Sequence, residues 1–296
     1  MMNRKALAQL AMVGTFGLAL IGCGRGDALG DSVSSTAQPT ASPESLLIAT
    51  SRPILQTSSG STRGEKSRFA VQRSRFASAD GPVDIVDVVI VGPTTHARVI
   101  DVVSGIRTPA DRYRAYSLRE VIAATRPSFA VTGAEGISST IPSPLGLIID
   151  SGKTISPLDR SSEFATGVFC IRVDGTADIV SRDAYKPKQC AQAIQSGPVL
   201  IDGTGKIGIG PGEVQKKLHE RLVIGIDRQR SLHVISTSPA HLYDLAQFMI
   251  TSIKITKALN LGTGTAHSAV WIDAPPNRFS QGNLDGGAPS AIIVEH

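Results

Sequence analysis

The residue strings best suited to phosphate chemistry are rich in glycine. Gly203-Thr204-Gly205-Lys206-Ile207-Gly208 matches G-x-G-x-x-G letter for letter. A dinucleotide site needs such a loop to open a helix whose N-terminus holds the pyrophosphate. Here Ile209-Gly210-Pro211-Gly212 follows, which cannot start a helix promptly, so the string is expected to be a hairpin turn. Gly152-Lys153-Thr154 looks like the end of a P-loop, but the earlier glycine, Gly146, stands one residue too far upstream. No His-Glu-x-x-His and no Gly-x-Ser-x-Gly string occurs, which removes the commonest zinc-protease and serine-hydrolase signatures. The Cys and His residues lack zinc-ligand spacing, and neither a metal nor a cofactor is expected.

The elements that would position any site are mostly short strands. With 296 residues and 41% apolar content, the chain is long enough for a sizeable core. Aromatics at 4% are too few for a platform that stacks on single-stranded nucleic acid. From Val83 onward, apolar runs alternate with turns, at Val83–Val91, Ala97–Val103, Phe129–Val131, Leu145–Ile149, Val168–Val173, Gln192–Ile201, Leu222–Ile226, Leu232–Ser236, Ala258–Leu261, Ala269–Ile272 and Ala291–Val294. Asp150-Ser151-Gly152, Asp174-Gly175 and Asp202-Gly203 supply hairpin chemistry between neighbours.

Two helices stand out. Ser117-Leu118-Arg119-Glu120 reads as a capping box for a helix ending before Pro127. The second is expected to start with Ser238 as N-cap and Pro239 at the first helical position. Its apolar stripe would be Leu242, Leu245, Ala246, Met249 and Ile253. Strands outnumber helices without alternating with them, so the expected class is α+β, with mixed, strand-rich sheets, two main helices and a single globular domain.

The first segment reads as an address. Arg4 and Lys5 precede a charge-free run from Ala6 to Ile21, and Leu20-Ile21-Gly22-Cys23 looks like a bacterial lipobox. Residues 1–22 are therefore expected to be a signal peptide, and Cys23 the acylated residue that anchors the chain in the cell envelope. Gly24 at the next position points to the outer membrane, facing the periplasm. Residues 23–80 are expected to form a flexible tether rich in Ser, Thr, Pro and Arg, and residues 81–296 the globular domain. Arg63, Lys66, Arg68, Arg73 and Arg75 form either a solvated basic face or a contact for anionic lipid or polysaccharide. The whole chain carries only 30 Lys+Arg against 25 Asp+Glu, a balance that does not argue for nucleic acid. Beyond the membrane, Cys170 and Cys190 would be the remaining pair in an oxidising compartment. A disulfide is expected, with two buried free thiols as the alternative.

Several segments, in order, resemble the phosphodiester glycosidase family. They are Leu118–Val121, Phe129–Gly133, Pro144–Lys153, Gln195–Leu200, Arg221–Asp227, Leu242–Phe248 and Ala258–Gly264. The resemblance spans roughly Val83 to the C-terminus. It implies hydrolysis of the bond between a sugar's anomeric carbon and a phosphodiester. An Arg and backbone N–H groups beside glycines would hold the anion, and a carboxylate would activate water or stabilise the oxocarbenium-like carbon. By resemblance, Arg221 and the turn Gln195-Ser196-Gly197-Pro198 would bind phosphate or sugar. Asn260, Gly262 and Gly264 would line the pocket floor, and Thr132 and Gly133 would belong to the same binding set.

The chain departs from the family pattern at two places. Thr132-Gly133-Ala134-Glu135-Gly136 stands where the family reads Asn-Gly-Gly-Phe-Phe. Asn260-Leu261-Gly262-Thr263-Gly264-Thr265-Ala266 stands where it reads Asn-Leu-Asp-Gly-Gly-Gly-Ser. Gly262 thus replaces the expected acid. Glu135, His267 and Asp285, the last within Asn283-Leu284-Asp285-Gly286-Gly287, are the candidate substitutes. The string around Asp285 otherwise reads as a turn before the last strand. The resulting expectation is an exported, lipid-anchored protein that hydrolyses or recognises a glycosyl phosphodiester in envelope or extracellular polysaccharide. The alternative is a relative that binds a glycan or phosphosugar and has lost the catalytic Asp.

Overall fold

The computed structural model describes residues 68–91, 97–101, 116–134, 146–210, 217–264, 268–274 and 277–295. The expected signal peptide, Cys23 and the tether up to residue 67 lie outside them. In chain order the strands are β1 (Phe69–Ser78), β2 (Gly81–Ile90), β3 (Ala97–Asp101), β4 (Tyr116–Ser117), β5 (Phe129–Thr132), β6 (Ile148–Asp150), β7 (Lys153–Ser156), β8 (Gly167–Arg172) and β9 (Ala177–Ser181). They continue as β10 (Cys190–Ser196), β11 (Val199–Asp202), β12 (His219–Asp227), β13 (Leu232–Ala240), β14 (Ile255–Thr263), β15 (Val270–Ala274), β16 (Asn277–Gln281), β17 (Gly287–Ala288) and β18 (Ser290–Val294). Helix α1 (Leu118–Thr125) follows β4, and α2 (Leu242–Phe248) runs into a π-helical turn, Met249–Ile253.

Three sheets carry the fold, in the orders β1-β2-β13-β12-β14-β11, β7-β6-β10-β8-β9 and β16-β15-β5-β18-β3. Their inner faces share one core. The first sheet contributes Val88, Leu222, Ile224 and Leu261, the second Ile148, Phe169 and Ile194, the third Phe129, Val131 and Ile292. Each such side chain stabilises the fold by about 1.5–3 kcal/mol when fully buried. The other face of the first sheet is covered by α2 and the π-helical turn after it, whose Leu242, Leu245, Ala246 and Met249 pack on Val223, Ile235 and Leu200. Helix α1 covers the outer face of the third sheet through Leu118 and Val121. The protein is strand-rich, with three main sheets and two helices among the described residues.

Local chemistry explains where the sequence-based expectations hold. Ser117 caps α1 with the reciprocal Glu120 contact, and Arg126, in the left-handed region at φ 46°, ends it before Pro127. Asp150-Ser151-Gly152 turns β6 into β7 with positive φ at Ser151 and Gly152, the backbone a type I′ hairpin demands. Cys170 and Cys190 are bonded across β8 and β10. Closing a loop of roughly 20 residues this way contributes about 3 kcal/mol.

Three expectations are corrected. Residues 69–78, assigned to the tether, form β1, which pairs along its whole length with β2 and buries Phe69 and Phe76; two apolar anchors outweigh the polar residues between them. The run Gln192–Ile201 is two strands, broken at Gly197-Pro198, and β11 leaves the sheet of β10 to join β14. Ser238-Pro239 does not start α2. Both residues lie in β13, where the pairing with β12 bulges between His219 and Arg221. Proline, lacking an N–H, is tolerated at such a bulge, and the Ser238 hydroxyl accepts from the Asp84 N–H at 2.9 Å instead of capping a helix. His241 occupies the N-cap position.

One buried charge cluster ties the first sheet together. His233 Nδ1 lies 2.9 Å from Asp87 Oδ2, and its Nε2 lies 3.4 Å from Asp227 Oδ2. Burial opposes the imidazolium, but hydrogen bonding and charge from Asp87 and then Asp227 outweigh it and hold the His233 pKa above its ordinary value. A proton bound more tightly in the folded state stabilises the fold fully below the unfolded imidazole value of about 6.5. That contribution is lost as pH rises through the raised folded value. The melting temperature of the wild type is therefore expected to fall across that window relative to His233→Gln. Parallel pH profiles for the two proteins would contradict this account.

Candidate functional site

The three segments singled out by sequence meet at one end of β12 and β14. Arg221 opens the buried part of β12 and is 3% exposed. Its Nε donates to the Ala240 carbonyl at 3.0 Å, one terminal nitrogen to the Lys217 carbonyl at 2.6 Å, and the other to Thr263 Oγ1 at 3.2 Å. Thr263 Oγ1 also lies 3.4 Å from Asn260 Nδ2, which donates to the Gly197 carbonyl at 3.0 Å. The Asn260 N–H reaches the Pro198 carbonyl at 3.1 Å, and Ser196 Oγ donates to the Leu261 carbonyl at 3.3 Å. A continuous hydrogen-bonded relay thus runs from Arg221 through Thr263 and Asn260 to the 196–198 turn.

A β-bulge makes the relay possible. Arg221 and Val223 are two residues apart on β12, but their partners on β14, Thr263 and Asn260, are three apart, because the register shifts between Leu222 and Val223. In a regular strand, residues three apart point to opposite faces. The extra residue returns Thr263 to the face of Asn260. Gly262, opposite Leu222, places no side chain at the position where the family pattern has its acid.

Gln195 has a different task from the one expected. Its Oε1 accepts from the N–H groups of Leu147 at 3.0 Å and Asp159 at 2.9 Å, and its Nε2 donates to the carbonyls of Asp159 at 2.6 Å and Ala165 at 2.8 Å. A carboxamide has two donor hydrogens and two acceptor lone pairs; all four are engaged within the protein, so the side chain has nothing left for a ligand. It clamps the 157–166 loop against β10. Gly197 is needed where that loop closes in, since a methyl group there would run into the carbonyl of Phe164.

Thr132 and Gly133 end β5 nearby. The Thr132 N–H donates to the Ala269 carbonyl at 3.0 Å, and its Oγ1 accepts from the Ala269 N–H at 3.2 Å. A methyl on Gly133 would strike Ser290 and the Ile194 side chain, so only glycine lets β5 close on β10 just before Gln195. Asp285 is bound elsewhere. Arg119 donates to its two oxygens at 2.7 and 3.1 Å, and hydrogen bonding to Arg119 holds its pKa below the usual carboxylate range. It sits in the turn before β17 and β18, beside the start of α1. Gly264 follows the relay with φ 84°. Glu135 and His267 lie outside the described residues.

Thr263 is the residue that sequence reasoning passed over. Only its place in the degenerate glycine-rich string marked it, and its facing depends on a bulge that periodicity does not reveal. Among the described residues, no group of three or more His, Cys, Asp or Glu could hold a metal ion, and no helix is long and apolar enough to cross a membrane. The string Gly203–Gly208 is the expected hairpin turn, with Ile201 bridged to Ile207.

A sequence profile of the phosphodiester glycosidase family matches residues 119–296. No curated protein is matched by sequence. Among solved structures, the catalytic domain of zebrafish N-acetylglucosamine-1-phosphodiester alpha-N-acetylglucosaminidase, auto-inhibited by its pro-peptide, superposes with a TM-score of 0.60 at 15% identity, over 80% of this chain and 85% of that one. A hypothetical protein from Synechocystis superposes with a TM-score of 0.56 at 12% identity, over 76% of this chain and 62% of that one. At such identities the likeness concerns the fold.

Because Gln195 satisfies four buried backbone groups, Gln195→Ala is expected to destabilise the fold by about 3 kcal/mol or more. It should also speed proteolysis within residues 157–166. Urea denaturation and limited digestion test this; wild-type stability in the variant would show that the clamp is dispensable.

Proposed function

Because the chain belongs to the phosphodiester glycosidase family, we propose that its strand-rich domain takes a glycosyl phosphodiester as its ligand. We assign that ligand to envelope or extracellular polysaccharide, reached by a chain exported with residues 1–22 as signal peptide and anchored through lipidated Cys23. Residues from Phe69 onward then form a single globular domain. One observation carries the reading: Arg221, Thr263, Asn260 and the 196–198 turn are joined in a single hydrogen-bonded relay. A guanidinium held at three points is preorganised, so little ordering is needed when a neighbouring anion arrives.

The reaction this ligand class undergoes is cleavage between the anomeric carbon and the phosphate oxygen. Water supplies the new C–O bond, and a phosphate monoester departs with the bonding electrons. The monoester is a good leaving group, so the heavier demand is for a carboxylate that takes the water's proton or stabilises the oxocarbenium-like carbon. Gly262 supports a second reading, recognition without turnover, since the position the family fills with Asp has no side chain in this chain. Asp285, held by Arg119, is a poor substitute. Glu135 and His267 are the remaining candidates for that proton.

Incubation of the purified protein with a panel of sugar-1-phosphodiesters, N-acetylglucosamine-1-phosphodiesters among them, separates the two readings. Release of free sugar or sugar phosphate assigns an enzyme. Saturable binding without release assigns a recognition module. In either case Arg221→Ala is expected to lower rate or affinity ten- to a hundredfold, on the order of 1.5–3 kcal/mol for a charged hydrogen bond. Thr263→Val, which leaves the guanidinium in place, should have a smaller effect in the same direction. Neither binding nor release on any member of the panel would sink the proposal.

The anchor is tested separately. Cys23→Ala is expected to move the protein from the membrane fraction to the soluble fraction of the producing cell. Retention in the membrane would rule out lipidation as the means of attachment.

A further inference from the structure

The Asn260 carboxamide has one atom unmatched. Its Nδ2 serves the Gly197 carbonyl at 3.0 Å and Thr263 Oγ1 at 3.4 Å, which engages both amide hydrogens and fixes the plane of the group. Oδ1 is buried and has no hydrogen-bond partner, and the residue is 3% exposed. Buried polar atoms are rarely left so. An acceptor of this kind is satisfied only by an O–H or N–H donor, never by the oxygens of a deprotonated phosphodiester. Asn260 is therefore set to meet the uncharged part of a ligand.

A second observation lies on the other side of Gly197. Phe164 is 63% exposed, and it is the aromatic one among the large apolar side chains exposed in the described residues. Its backbone is rigidly held. The Phe164 N–H donates to Ser162 Oγ at 3.3 Å, and its carbonyl accepts from the Thr166 N–H at 2.9 Å. The next residue, Ala165, is gripped by Gln195, and Thr166 Oγ1 accepts from the Val199 N–H at 3.0 Å. The Phe164 carbonyl packs directly on Gly197, whose own carbonyl receives Asn260. A phenyl ring presented to solvent on a braced loop loses little conformational freedom when a ligand stacks on it. Its face offers apolar area to the C–H groups of a sugar ring.

We propose that Phe164 and Asn260 form the sugar side of the ligand site. The Phe164 ring stacks on the C–H face of a pyranose, and Asn260 Oδ1 accepts from one of that sugar's hydroxyl or acylamino donors. The inference rests on the glycosyl phosphodiester reading above and adds to it a division of labour. Arg221 and the peptide groups near it answer to the anion, while these two residues determine which sugar is accepted.

Titration calorimetry of the full chain with two probes, N-acetylglucosamine 1-phosphate and inorganic phosphate, tests this. The wild type is expected to bind the sugar phosphate more tightly than phosphate. Phe164→Ala, a change at an exposed side chain that should keep the wild-type melting temperature, is expected to weaken the sugar phosphate about tenfold and to leave phosphate affinity unchanged. Phe164→Tyr should retain wild-type affinity, whereas Asn260→Ala, which also releases Gly197 and Thr263, should weaken both probes. Undiminished sugar-phosphate affinity in Phe164→Ala overturns the inference. So does equal affinity of the wild type for both probes, which still leaves an anion site in place. If neither probe nor any sugar-1-phosphodiester binds the wild type, the parent reading falls together with this one.

Discussion

Asn260 sends its amide hydrogens in two directions, one to the carbonyl of Gly197 and one to the hydroxyl of Thr263, and Thr263 in turn receives Arg221. Those contacts tie the turn between β10 and β11 to β14, and the hydroxyl of Ser196, on β10, adds a bond from the second sheet to the Leu261 carbonyl on β14. Neither sheet could shift against the other without orphaning a buried polar group, and such a group costs more to abandon than a hydrogen bond gains when made. The relay therefore acts as a rivet. Its tolerance is narrow because the bulge on β14 must place Thr263 and Asn260 on the same face.

The loops around the rivet follow the same logic of polar satisfaction. Gln195 lies beneath the turn and engages four backbone groups of the segments around 147, 159 and 165. Asp159 gathers Ser161 and Ser162, whose hydrogen bonds hold its pKa below the carboxylate norm. Further along the same sheets, Asp178 is half-buried, which disfavours its charge. Hydrogen bonds from Lys257 and Arg172 reverse that effect and keep it ionised. Because Lys257 lies on β14 and Asp178 on β9, this ion pair also joins two sheets. Apolar burial thus supplies the core, and these polar contacts set how the sheets are aligned.

Much of this was legible in the residues themselves. The capping box at Ser117, the hairpin turns at 150–152 and 202–203, and the cysteine pair are local or compositional statements, and each took the form expected. The ordered string of weak motifs was enough to point to the family. Harder to read were elements whose conformation is imposed from outside. Ser238-Pro239 has the chemistry of a helix start, yet β12 and β2 draw it into a strand. Arg73 and Arg75 make residues 69–78 look like a tether, yet Phe69 and Phe76 commit them to the sheet. Gln195 looked like a ligand-binding residue because it sits in a family motif, whereas its partners come from loops up to 48 positions away.

The amino-acid sequence alone determined the strand-rich class, the turns, the first helix, and the kinds of side chain available to meet an anion or a sugar. These follow from propensity, capping and covalent spacing, all of which act over a few residues. Tertiary structure decided which of those side chains remain available. Burial against distant carbonyls engages the whole of Gln195, a bulge turns Thr263 toward Arg221, and a saturated amide group leaves a single Asn260 oxygen unanswered. Hydrogen-bond satisfaction of this kind depends on which atoms from remote segments arrive within about 3 Å, and a linear pattern does not encode that distance.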